Sequence, residues 1–287
     1  MKKVQKSNNS LSKRSFHKLI SNRLAMFGLL FLVLIITVCM LAPVLTPYDP
    51  MALNTKEKLQ PMSWEHPLGT DQLGRDLLSR MLYGGRLTIG IALGSSVLSS
   101  LLGVILGCLS GFYGGKVDST IRTVGEFIVC FPNMILTLLV MAFFGQTIPL
   151  IMAVWVLTGW VGCMRMVRSK VLSLKEEPYV DSCRANGVSS ASNMFRHLLP
   201  NTVGSVIVGL TMNVANKVLA EAGLSYLGMG ISPSDPSWGN IINAAKSMSI
   251  MINSPQLWVI PGVVISLFVL SCNFFGDGLR DALDVTQ

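Results

Sequence analysis

Leu87-Thr-Ile-Gly-Ile-Ala-Leu-Gly-Ser-Ser-Val-Leu-Ser-Ser-Leu-Leu-Gly-Val-Ile-Leu-Gly-Cys-Leu109 runs for 23 residues without a charged side chain. About 20 such residues in a helix cross the hydrocarbon core of a bilayer with every backbone group bonded internally. Runs of the same character recur at 24–42, 127–144, 148–164, 203–219 and 257–275, so the sequence predicts an all-α membrane protein with six transmembrane helices. Composition agrees: the 287 residues are 51% hydrophobic and 13% charged, with a mean hydropathy of +0.54, whereas a water-covered globular chain carries about 25% charge. Disorder, collagen and a disulfide-stapled secreted fold are excluded by the same balance. The first run is longer than a signal-peptide core and ends Ala42-Pro43-Val44 without a small-x-small cleavage site, so it is expected to remain as a helix.

The net charge of +8 could mark nucleic-acid binding or membrane topology, and its distribution favours topology. Lys2, Lys3, Lys6, Lys13, Arg14, Lys18 and Arg23 precede the first span with no acidic residue among them, which places the N-terminus in the cytoplasm. With six spans the C-terminus returns to the same side. Sixteen basic residues then lie inside, including Lys116, Arg122, Arg165, Arg168, Lys170, Lys175, Arg184, Arg196 and Arg280; six lie outside, Lys56, Lys58, Arg75, Arg80, Arg86 and Lys246. Residues 1–23 form a basic cytoplasmic segment, 24–283 a multi-pass domain of the cell (plasma or inner) membrane, and 284–287 a tail. No nucleic-acid partner is expected; the lipid bilayer is.

Two connections are too long for turns. Residues 43–86 are external, Pro-rich early and balanced in charge, as suits a lid or docking surface. Residues 165–202 are cytoplasmic and read as two short helices: Pro178 suits a first turn, Gly187 a stop, Ser190 or Ser192 a cap, and Pro200 the next break. In the second span Gly90 and Gly94, and then Gly103, Gly107 and Gly111, recur at intervals of four, which lets a neighbouring backbone approach closely.

No catalytic residues and no metal ligands emerge. The six cysteines form no CxxC and do not group with the three histidines. The stretch from Gly111 to Val117 resembles a phosphate loop but is one residue short between its glycines and has Val117 where a magnesium-binding Ser or Thr belongs. Ser95, Ser96, Ser99 and Ser100 have no His or Asp at helical spacing, so they are expected to bond backbone or line a helix contact. No cofactor is implied. Asn213, Asn216, Lys217 and Glu221 fall on one broad face of the fifth span. Against lipid such a Lys costs about 2.5–3.5 kcal/mol, so the face is either a translocation path or the setting of a structural Lys217–Glu221 pair.

Tyr179-Val-Asp-Ser-Cys-Arg-Ala-Asn-Gly187, followed by Leu199-Pro200, resembles the EAA loop of ABC importer permeases, with Asp181 for Glu and Ser182-Cys183 for Ala-Ala. His66-Pro-Leu-Gly-Thr-Asp-Gln-Leu-Gly-Arg-Asp76 is similar to the first external loop of the dipeptide, oligopeptide and nickel permeases, in their second-subunit branch. Glu221-Ala-Gly-Leu-Ser-Tyr-Leu-Gly-Met-Gly230 with Pro236-Ser-Trp-Gly239 resembles that family's signature after the fifth span, Tyr226 and Met229 being departures.

The resemblance implies a type I ABC importer permease fold. Its implied partners are a second permease subunit, two ATP-binding subunits that supply the hydrolysis, and an extracytoplasmic solute-binding protein. It assigns ATPase coupling to Asp181, Ser182, Cys183, Arg184 and Gly187. Leu199-Pro-Asn201 and Pro236-Ser-Trp-Gly239 look more like the peptide members, with nickel or a metal chelate as the alternative cargo. A secondary transporter, the rival from another class, is expected to show internal repeats, and none is visible.

Overall fold

The computed structural model describes residues 17–178, Met194 and 199–283. Helix α1 (Arg23–Met40) starts where Asn22 accepts the N–H groups of Leu24 and Ala25, both at 3.1 Å, satisfying donors that a first turn leaves open. A single turn, α2 (Ala42–Leu45), has Pro43 in its first positions. Helix α3 (Leu77–Tyr113) is 37 residues long and begins well before residue 87, because Asp76 caps it by accepting from the Ser79 N–H at 2.7 Å. The external connection is shorter than its sequence suggested by that much.

The third span departs from expectation. In place of one straight run over 127–144 the chain forms α4 (Gly115–Val129) and α5 (Asn133–Phe144), bent by 75°. Pro132 is the cause: it lacks an N–H and pushes Phe131 away from helical geometry. Helix α6 (Ile148–Lys175) continues far past 164, and α7 (Leu199–Tyr226) starts with Pro200 in its first turn. The short helices α8 (Trp238–Ala244) and α9 (Met248–Asn253) precede α10 (Gln256–Leu283), which carries Pro261 internally. Among the described residues five helices are long and apolar enough to cross a membrane, and a sixth span is reached if the bent pair counts as one. The two short cytoplasmic helices expected between α6 and α7 lie outside the described residues, save Pro178 and Met194.

Glycines set the helix packing. A methyl group at Gly103 would meet the Trp160 carbonyl oxygen at 2.7 Å, and one at Gly107 the Met164 carbonyl at 2.8 Å; Gly111 faces Val171. Four of the five spaced glycines thus face α6, Gly94 meeting the Met152 side chain, while Gly90 faces open space. On the other side α1 lies against α10, where Gly28 faces the Ser271 carbonyl and Gly278 faces Ala25. The helices meet around Trp238, fully buried, packed edge-on against Phe268 at 5.8 Å and donating from Nε1 to the Met81 carbonyl at 3.0 Å. The bundle has two unlike ends: a pad end, where residues 46–76 and 227–255 lie, and an open end, where α3, α6 and α10 finish and α7 begins.

Candidate functional site

Between α3 and α7, inside the apolar length of both helices, lies a polar seam. Lys217 is half-buried and donates from Nζ to Ser99 Oγ at 3.1 Å. Gly159 of α6 stands beside the pair: a methyl group there would crowd Ser99 Oγ at 3.3 Å and lie 3.7 Å from Nζ. Ser99 is fully buried and donates its own hydroxyl hydrogen bond to the Ser96 carbonyl at 3.1 Å. A Ser beside a Lys is a known nucleophile arrangement, but a hydroxyl sealed from substrate and committed to backbone acts as a strut. Ser95 likewise bonds the Ile91 carbonyl at 2.6 Å; both behave as the sequence reading expected.

Glu221, one turn along α7, is not paired with Lys217. It is fully buried and accepts from Ser225 Oγ at 2.7 Å and from Thr88 Oγ1 at 3.3 Å. The i,i+4 pair fails because each charge finds a separate partner on α3, Ser99 and Thr88, which stand about 16 Å apart along that helix. Around α7, burial rises steadily from exposed Asn216 through half-exposed Asn213 and Lys217 to Glu221. The four residues therefore form an arc with one edge locked into this chain and the other edge open.

The Glu221–Gly239 stretch is the node that holds this seam. Thr88 Oγ1 accepts the Trp238 N–H at 3.3 Å while donating to Glu221. Gly239 is required by crowding: a methyl group there would meet the Ala222 Cα at 2.8 Å. Asn240 donates to the Ser232 and Asp235 carbonyls at 2.8 and 3.1 Å, and Asn243 to the Tyr226 carbonyl at 2.6 Å. Sequence reading found the motif but not Thr88, Ser99 or Ser225 as its partners, since nothing local to those residues distinguishes them.

At the pad end, residues 46–76 form a hydrogen-bonded cap over the start of α3. His66 Nδ1 lies 2.9 Å from Asp76 Oδ1, and its Nε2 is 3.3 Å from Glu57. Asp76 also accepts from Ser79 Oγ at 2.7 Å, and Ser79 shares a short contact with Thr46. This is no catalytic triad, because the carboxylate stands between the imidazole and a buried hydroxyl and leaves that hydroxyl without a base. Burial works against protonation of His66, but the bonds and charges of Asp76 and Glu57 outweigh it and raise its pKa above 6.5. Asp71 accepts from Arg75 Nε at 2.6 Å, and the fully buried Arg80 donates to the Pro50 carbonyl at 3.1 Å. Gly74, at φ +73, turns the chain where its Cα runs against the Asn54 backbone. Trp64 stands fully exposed on this pad.

At the open end Arg168 clamps Asp118 through two bonds of 2.5 and 2.6 Å, Ser110 also bonds Asp118, and Lys175 Nζ donates to the Phe112 carbonyl at 2.9 Å. These contacts fix α4 and α6 to the end of α3. The stretch resembling a phosphate loop is the turn between α3 and α4, with Gly114 and Gly115 at φ +65 and +53. Asp181, Ser182, Cys183, Arg184 and Gly187 lie outside the described residues. Among the described residues no three His, Cys, Asp or Glu side chains gather as metal ligands, and Cys39, Cys108, Cys130, Cys163 and Cys272 are free.

The architecture so far is that of a multi-pass helical membrane protein with polar groups stitched between its spans. Residues 103–285 match the family model described as the inner membrane component of binding-protein-dependent transport systems, and residues 10–61 match the N-terminal transmembrane domain of oligopeptide transport permease C. The chain belongs to this family of binding-protein-dependent permeases. It is 37% identical over 285 residues to the oligopeptide transport system permease protein OppC of Escherichia coli, covering 98% of this chain and 93% of that one. It is 35% identical over 282 residues to OppC of Bacillus subtilis, covering 98% and 92%. To the dipeptide transport system permease protein DppC of Bacillus subtilis the identity is 34% over 283 residues, covering 98% and 88%.

Proposed function

We propose that this chain is one of two permease subunits of an ATP-driven importer of di- and oligopeptides, and that it contributes half of the channel. The carrying observation is the likeness, over nearly its whole length, to permeases named for oligopeptide and dipeptide transport. Nickel is a weaker reading, because these relatives are named for peptides. The open edge of the α7 arc, Asn213 and Asn216, supports a partner permease or a watered path beside it, since amides left against lipid are unfavourable. The pad end faces outward in this reading and offers exposed Trp64 to the solute-binding protein. The open end faces the cytoplasm, with both termini, and there Asp181, Ser182, Cys183, Arg184 and Gly187 engage two ATP-binding subunits. Positive charge at the chain start and in the α6–α7 connection supports that orientation.

Uptake of labelled di- and tripeptides, and separately of nickel, in cells lacking the gene tests the proposal. Peptide uptake is expected to fall and to be restored by the intact chain; loss of nickel uptake alone overturns the peptide assignment. Lys217→Leu separates two roles of the seam: a path residue loses uptake while the complex still assembles, and a strut to Ser99 loses assembly. Normal uptake and assembly with Lys217→Leu removes Lys217 from the site.

A further inference from the structure

We propose that the groove among α6, α7 and α10 at the open end is a binding site for one anionic phospholipid. The groove has a volume of about 750 Å³, within the roughly 300–1,000 Å³ of ligand sites. Its composition is graded along the helices. At the mouth stand Lys170, Ser169, Ser205 and Arg280; deeper along the same helices the lining becomes Met166, Val208 and Met212.

The run of α7 from Pro200 to Met212 covers about 18 Å, close to the ~15 Å of one leaflet's hydrocarbon. A polar mouth and an apolar shaft of one-leaflet depth match a phospholipid whose phosphate meets the two cations and whose chain lies along the methionines. Charge complementarity supports this occupant. Among the described residues no carboxylate pairs with Lys170 or Arg280, although Asp277 and Asp281 flank Arg280 on its own helix. Basic pockets between spans favour anionic headgroups in this way. The dipole at the α7 N-terminus, beside Pro200, adds in the same sense. Gly209 keeps the shaft open: a methyl group there would lie 3.6 Å from the Met166 methyl, and a larger side chain would enter the groove.

The test uses the full-length chain co-purified with its partner subunits in micelles containing phosphatidylglycerol or phosphatidylcholine, with bound lipid counted by native mass spectrometry. The expected result is one phosphatidylglycerol retained per chain, no comparable phosphatidylcholine, and at least about tenfold weaker retention in Lys170→Gln/Arg280→Gln, since two charge-assisted bonds are lost together; tenfold is about 1.4 kcal/mol. Both cations are exposed, so matched thermal melting is expected for that variant. Gly209→Leu is the second arm: it keeps both charges and is expected to lose the lipid by filling the shaft. Equal retention of the two lipids, or wild-type retention in either variant, overturns the proposal. So does displacement by millimolar inorganic phosphate or by a short peptide, which would make the mouth a simple anion site or part of the cargo path.

Discussion

The two ends of the bundle treat their polar groups in opposite ways. At the pad end, His66, Asp71, Asp76, Arg80 and Glu221 are almost wholly buried and each has partners from its own chain. At the open end, Lys170, Arg280 and Asn201 are exposed around a groove, beside the Asp118–Arg168 clamp. The same chain therefore builds one end whose buried polar groups are mostly bonded within the chain, one Arg80 nitrogen excepted, and one whose cations stand exposed. Buried polar networks become costly when half-satisfied, so the pad end is expected to tolerate substitution poorly and the open end well.

Trp238→Ala should break the contrast most. It removes the packing on Phe268 and the bond to Met81, and a loss of about 3–5 kcal/mol is typical for such truncation; melting of the purified protein in detergent measures it. Lys170→Gln on the same assay should leave melting unchanged, and equal losses for the two would erase the distinction between ends. Next comes Gly103→Ile, which forces α3 from the α6 backbone and should cost about 1–3 kcal/mol by overpacking, read as lower yield of folded protein in the membrane. Glu221→Leu should cost about 1–3 kcal/mol because the Ser225 hydroxyl loses its acceptor, while Glu221→Gln, able to accept it, should recover most of the loss in the same melt.

The smallest effect is a pH dependence. Protonated His66 is held by Asp76 and Glu57, so its contribution is fully present below the ordinary histidine value of 6.5 and fades as pH rises through the elevated folded one. Limited proteolysis of residues 46–76 between about pH 5.5 and 8.5 should therefore accelerate toward alkaline pH. His66→Gln should flatten that slope, and an unchanged slope would assign it to another group.

How far the sequence could be read divides along the same line. Spans are legible because a bilayer demands unbroken apolar length, and the Gly103–Gly107–Gly111 spacing announced a helix contact before its partner α6 was known. The break at Pro132 was legible in principle, since one proline in an apolar run is a local signal; hydropathy averaged over the window hid it. Thr88, Ser99 and Ser225 were not legible, because their meaning depends on a residue from another helix. The same reason defeats the Lys217–Glu221 pair: helical spacing allowed it, and only the opposing face of α3 decides between partners. Asp181 to Gly187 stood out as a motif and fall outside the described residues.

Helix α3 invites a mechanical reading. Its 37 residues make a rod of about 55 Å, nearly twice the ~30 Å hydrocarbon thickness. One tip is gripped by the cap that Asp76, His66 and Arg80 build, and the other is bolted to α4 and α6 through Ser110, Asp118 and Arg168. A tilt of about 10° about the gripped tip sweeps the far tip through about 10 Å. A helix of that length, tied at both tips, would turn a small tilt at one end of the bundle into a displacement of several ångströms at the other.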